Sequence, residues 1–155
     1  MISDSSPLIF LSKIGEINLL EKIFKKIIIT ENVKDEVLYN KKEGYEIIQN
    51  AIDKKILVIK NPSKILDFGL GKGENSSINL AIELKDSLII DDLIGIKVAS
   101  SFSIETIRTT TLLFQALEKK IYSKKEVMNL IDQLIKNNYY IKPEYYIDIF
   151  KKLSS

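Results

Sequence analysis

Histidine and cysteine are both absent from this chain. Without cysteine there is no disulfide, no thiolate metal site and no cysteine nucleophile. Without histidine, Ser-His triads, histidine general bases and the common zinc sites are excluded. Carboxylate, hydroxyl, lysine and tyrosine chemistry remains. Arginine is nearly absent too, Arg108 being the only one. Nor is there an excess of charge of one sign: 23 basic and 21 acidic side chains leave a net +2. Affinity for a polyanion must therefore come from a local patch and not from a global field. No apolar run approaches the roughly 20 residues that a bilayer span needs. The N-terminus reaches Asp4 with no basic stretch before it, so no signal peptide is expected. A chain without cysteine fits a reducing compartment, and a cytoplasmic location is expected.

What is present reads as one globular domain. The chain has 155 residues, 45% hydrophobic and 28% charged, enough for a single core and too short for two comfortable ones. Apolar runs of strand length alternate with helical patterns, which argues for a parallel sheet covered by helices. Met1 to Ser3 has room only for a short strand. Ser5 and Ser6 can cap a helix with Pro7 at its first position. Ile17, Leu20, Ile23 and Phe24 repeat at helical spacing. Ile27-Ile28-Ile29 reads as a β-branched strand. Helices follow from Val33 and Val37 and from Tyr45, Ile48 and Ala51, with a third strand over 56–59. Residues 61–72 hold Pro62, Gly69 and Gly71 and read as a loop. Gly73 and Glu74 open a helix to Leu84. Leu88-Ile89-Ile90 is a buried strand, and 104–107 a last one. The alternation then stops. Helical patterns fill 110–119 and 142–153, and between them Val127, Leu130, Ile131 and Leu134 repeat at helical spacing behind a capping box of Ser123 and Glu126. The expectation is one domain, 1–155, with an α/β core over 1–109 and a helical C-terminal part over 110–155.

Four carboxylates stand out by position. Asp4 and Asp91 each follow an apolar strand, and sites in open parallel sheets form beyond the carboxyl ends of strands. Glu36 lies in an early helix. Glu74 opens a helix, where the dipole favours negative charge. Each has a plain alternative: a turn or cap residue for Asp4, a solvated helix face for Glu36, a helix-start charge for Glu74, an N-cap for Asp91-Asp92. If they converge on one cleft, their mutual repulsion is resolved by a hard cation with oxygen ligands, and Mg²⁺ suits a few carboxylates, waters and phosphate oxygens. Paired ions of that kind activate water and stabilise the leaving oxygen of a phosphodiester, with no histidine required.

These residues resemble the PIN-domain family of metal-dependent ribonucleases. The carrying segments are Ile2-Ser3-Asp4-Ser5-Ser6-Pro7-Leu8, Val33-Lys34-Asp35-Glu36-Val37, Gly73-Glu74-Asn75 and Leu88-Ile89-Ile90-Asp91-Asp92. More closely, the chain looks like a prokaryotic subgroup whose first motif reads Asp-Thr-Ser-Pro-Leu, with Ser5 here in place of the threonine. The resemblance extends to the C-terminal stretch 130–135 and to Tyr140-Ile141. It implies a three-layer α/β/α sandwich with a parallel sheet of four or five strands. It also implies a Mg²⁺ or Mn²⁺ site of Asp4, Glu36, Glu74 and Asp91, with Asp92 assisting and Ser5 or Ser6 orienting water or substrate. Single-stranded or structured RNA is the implied substrate. Many relatives are toxins neutralised by an antitoxin protein, and many are homodimers.

Basic residues, often found after the fourth motif in relatives, are reduced here to Lys97. Arg108, just before Thr109, can point toward phosphate if the last strand ends there, and both are candidates for orienting substrate. The thin basic complement keeps an alternative open: a catalytically degenerate PIN-like binding or assembly module. A phosphoacceptor domain fits poorly, since its acidic pair should follow the first strand. Tyr139, Tyr140, Tyr145 and Tyr146 beside Lys136, Lys142, Lys151 and Lys152 invite RNA stacking. Packing of the last helix or of a dimer contact is the competing account, and the favoured one.

Overall fold

The computed structural model describes residues Met1–Ser155. They divide into two compact units, Met1–Thr109 and Thr110–Ser155.

The first unit is built on strands of only two or three residues: β1 (Ile2–Ser3), β2 (Ile27–Ile29), β3 (Leu57–Ile59), β4 (Leu88–Ile89) and β5 (Thr106–Ile107). All pair in parallel, in the order β3-β2-β1-β4-β5. Ile2 sits beside Ile28 on one side and Leu88 on the other. The chain therefore runs outward from β1 to β3, crosses back, and runs outward again through β4. The switch point falls between β1 and β4, which is where ligands bind in open α/β sheets.

The helices of this unit are α1 (Ser5–Lys13), α2 (Leu19–Phe24), α3 (Glu31–Leu38), α4 (Tyr45–Asp53), α5 (Lys72–Leu84) and α6 (Leu93–Ser101). Right-handed crossovers put those between β1 and β3 on one face and those after β3 on the other, giving a three-layer α/β/α sandwich. Within these layers α1 packs on α3 and α4, and α5 on α6, while α5 also meets α3 where Gly73 reaches Glu36. One core layer joins Ile2, Leu88 and Ile90 of the sheet region to Ile78 and Ala81 of α5 and Ala99 of α6, all fully buried.

Two local expectations shift. The cap of α1 is Asp4, in extended conformation (φ −78°, ψ 173°), and not Ser5 or Ser6. Pro7 tolerates the move, because the N–H groups of a helix's first turn need no intrahelical partner. Helix α5 begins at Lys72, one residue before Gly73.

The second unit holds α8 (Lys124–Lys136) and α9 (Pro143–Ser154) and all but the first residue of α7 (Thr109–Glu118). The Ser123–Glu126 capping box forms: Glu126 N donates to Ser123 Oγ (3.2 Å) and Ser123 N to Glu126 Oε2 (2.7 Å). Of the tyrosines, Tyr139 is buried, while Tyr140 and Tyr145 are exposed. The Lys152 ammonium lies over the Phe114 ring, 4.7 Å from its centre. No helix in the chain is long and apolar enough to cross a membrane.

Candidate active site at the switch point

Asp4 follows β1 directly, and its N–H donates to the Ile89 carbonyl of β4 (2.9 Å). That bond fixes Asp4 at the crevice between the two strands. The residue is only 1% exposed. Neither carboxyl oxygen has a hydrogen-bond partner. An unsatisfied buried carboxylate is costly, and the group responds by holding its proton. Burial first and then the Glu74 carboxylate push its pKa from 3.8 to about 8; the nearby Ser5 backbone N–H, which does not meet hydrogen-bond geometry, pulls it down, and Glu36 and Asp91 each add a smaller rise.

Glu36 reaches in from α3. Its Oε1 accepts from Gly73 N (2.9 Å), and its Oε2 accepts from the Ser5 hydroxyl. Although the residue as a whole is exposed, its carboxylate is tied to the starts of both α1 and α5. Gly73 is required for that approach. A Cβ there would stand 2.7 Å from Oε1 and 2.8 Å from Cδ of Glu36, closer than real Cβ contacts come.

Glu74, half-buried, lies in the first turn of α5. Asp91 follows β4 and grips the start of α7. Thr109 N donates to its Oδ1 (2.9 Å) and Thr109 Oγ1 to its Oδ2 (2.5 Å). Arg108 Nε stands 3.8 Å from Asp91 Oδ1, with the side chain one-third exposed at the rim. Asp92 is exposed and caps α6, its Oδ2 accepting from Gly95 N (2.6 Å). Ser6 is half-buried.

The electrostatic coupling to Asp4 thus involves Glu74, Glu36 and Asp91. Asp92 is engaged on its own helix, and Thr109 on Asp91. No three acidic side chains come close enough to hold one ion between them. Hydrogen bonds hold Glu36 and Asp91 to the walls, which keeps them apart. The donor chemistry nonetheless fits a hard divalent cation, since every candidate ligand is an oxygen. Asp4 is the structural sign of that fit: two buried oxygens without partners, facing repulsion that a cation would relieve.

The pattern along the chain did not single out the polar side of α5. Asn75, Ser76, Ser77 and Asn79 are all buried there. Asn75 and Asn79 clamp the preceding loop. Asn75 Oδ1 accepts from Phe68 N (2.8 Å), Asn79 Oδ1 accepts from Leu66 N (2.8 Å), and both amides donate to Leu66 O (2.9 Å). Ser76 Oγ meets Thr30 Oγ1 at 2.7 Å, joining α5 to the cap of α3. The sequence signal is four amide and hydroxyl residues within five positions of the helix. Buried groups of that kind need partners: the loop supplies them for Asn75 and Asn79, and Thr30 and the Gly73 carbonyl for Ser76.

The parallel α/β sandwich sets the fold class, with Asp4 buried at its switch point and coupled to Glu74, Glu36 and Asp91. The chain belongs to the PIN-domain family, whose profile matches residues 1–155. That fold is typically one of metal-dependent nucleases, and PIN domains generally use divalent metals. Among solved structures, the chain is similar to a PilT N-terminus domain protein from the hyperthermophilic archaeon Sulfolobus solfataricus P2. The TM-score is 0.51 and the identity 24%, over 76% of this chain and 95% of that one. At that identity the likeness speaks for the fold alone. No curated protein matches the sequence.

Proposed function

We propose that this chain is a metal-dependent endoribonuclease, with Asp4, Glu36, Glu74 and Asp91 holding Mg²⁺ or Mn²⁺. The observation that carries the reading is Asp4, buried without a partner and kept protonated by that burial and by its carboxylate neighbours. The bound ion would supply an activated water and stabilise charge on the leaving oxygen. The protein's own residues do the rest. Asp4 would hold the ion as a carboxylate, which requires the proton it carries to pass to solvent. Ser5 and Gly73 hold the Glu36 carboxylate at a set angle. Thr109 holds Asp91, and the Arg108 guanidinium beside Asp91 at the rim orients the substrate in this reading. Asp92 assists from the α6 cap. The substrate in this reading is single-stranded or structured RNA. A toxin paired with an antitoxin and a homodimer are its extensions, supported by the family resemblance, and a cytoplasmic location is supported by the absence of cysteine.

A second reading, a binding module that has lost catalysis, is favoured by one observation: no three acids share a single ion-sized space. Cleavage of a labelled RNA with and without Mn²⁺ separates the two. Asp4→Asn and Asp91→Asn should each lower Mn²⁺-stimulated cleavage by roughly 100-fold or more, with the circular dichroism spectrum retained. Undiminished cleavage in both variants would contradict the assignment.

A further inference from the structure

A cleft of about 330 Å³ opens on the outer side of Glu36, lined by Asn32, Asp35, Glu36, Tyr39 and Lys72. The Gly73–Glu36 hydrogen bond brings the two sides together, since it places Lys72, the first residue of α5, against the end of α3. Tyr39 follows α3 directly and is 61% exposed, so its ring is open to a ligand. The turn that carries it is strained: Asn40 (φ 53°) and Lys41 (φ 46°) are consecutive non-glycine residues in the left-handed region. Such backbone persists where the surroundings enforce it, often at binding sites. The Lys42 ammonium lies over the Tyr39 ring at 5.6 Å.

We propose that this cleft is a subsite for one unpaired nucleotide of RNA, its base stacked on Tyr39 and its phosphate paired with Lys72. This rests on the reading of the chain as an RNA-cutting enzyme and names where its substrate is gripped. An exposed aromatic face combined with ammonium groups is the means by which proteins hold single strands without regard to base order. The lining is a tyrosine ring among amide, carboxylate and ammonium side chains. Its Asn32 amide suits the polar edge of a base. Lys72 and Lys42 offset the two carboxylates of Asp35 and Glu36. Charge alone therefore discriminates little, and the ring carries the affinity. Glu36 belongs both to this cleft and to the group of carboxylates acting on Asp4. A nucleotide held here would sit beside Glu36.

The test measures binding of a short, labelled, unstructured RNA in EDTA and its cleavage kinetics in Mn²⁺. Tyr39→Ala should weaken binding and raise KM about ten-fold, with kcat within about two-fold. Tyr39→Phe should restore affinity to within about three-fold. Lys72→Gln should lower the slope of log affinity against log salt by about one. Tyr140→Ala, an equally exposed tyrosine of the second unit, should leave KM unchanged. If the protein cleaves RNA and Tyr39→Ala keeps the parental KM, the subsite is wrong while the nuclease reading stands. If the protein binds RNA through Tyr39 but never cuts it, the subsite stands and the nuclease reading fails. A protein that neither binds nor cuts RNA overturns both.

Discussion

Replacing Asp4 by asparagine should make the metal-free protein more stable at pH 7, although it removes a residue of the proposed active site. Asp4 has a folded pKa of about 8 against 3.8 in its ordinary state. Between those values the folded chain binds a proton that the unfolded chain does not. Stability therefore falls as pH rises from about 4 to about 8, and the contribution is complete only below the unfolded value. The slope approaches 1.4 kcal/mol per pH unit for one proton. Asparagine is neutral in both states and escapes this penalty. Because its amide would still be buried without partners, the gain at pH 7 is on the order of 2–4 kcal/mol, or roughly 5–10 °C in Tm for a chain of this length. The check is thermal melting in EDTA from pH 4.5 to 8.5. The parent should lose stability relative to Asp4→Asn across that window, and the two curves should meet near pH 4. Parallel curves would mean that Asp4 is ionised and satisfied in the fold.

Asp91→Ala should move stability in the opposite direction. Asp91 faces the same crevice, yet both its oxygens are occupied by Thr109, whose backbone and side chain are fully buried. Truncation leaves an N–H and a hydroxyl without acceptors, at about 1–3 kcal/mol each. It also removes the partner of Arg108 at 3.8 Å, a one-third-exposed pair of small worth. The expected loss is about 2–4 kcal/mol. Asp91→Asn, which keeps a carbonyl to accept one of the two bonds, should lose about half as much. Urea unfolding measures this directly, as a lower midpoint at unchanged m-value. Two carboxylates at one switch point would thus respond to neutralisation with opposite signs. That contrast separates an unsatisfied group awaiting a ligand from a strut already satisfied.

Much of the fold was legible because its signals are local. Ile27-Ile28-Ile29 and Leu88-Ile89-Ile90 are too short and too apolar for anything but buried strands in an alternating chain, and they pair in parallel about β1. The Ser123 box needed only residues three apart. Asp4 and Asp91 could be placed by counting to the ends of their strands. Glu36 could not be placed this way. Its hydrogen bonds come from Ser5 and Gly73, 31 and 37 residues away, and the exposed helix position alone says only that it is solvated. The cap of α1 was misplaced because Ser5, Ser6 and Asp4 are all competent caps, and only the β1–β4 register decides among them. Tyr39 was hidden for a similar reason. Its exposure depends on a turn through positive φ at Asn40 and Lys41, and no glycine or proline there announces it. What lay beyond reach in each case was a tertiary partner, not a propensity.

In the proposed reading, Asp4 is buried and protonated because the site takes a divalent cation. Titration of Mn²⁺ into the parent protein by calorimetry in buffers of different ionisation heat tests it most directly. The account predicts binding coupled to release of close to one proton at pH 7, and no such release from Asp4→Asn, because an ion that takes Asp4 as ligand must displace the proton it carries. Absence of Mn²⁺ binding at millimolar concentration, or binding with the same proton release in both proteins, would contradict it.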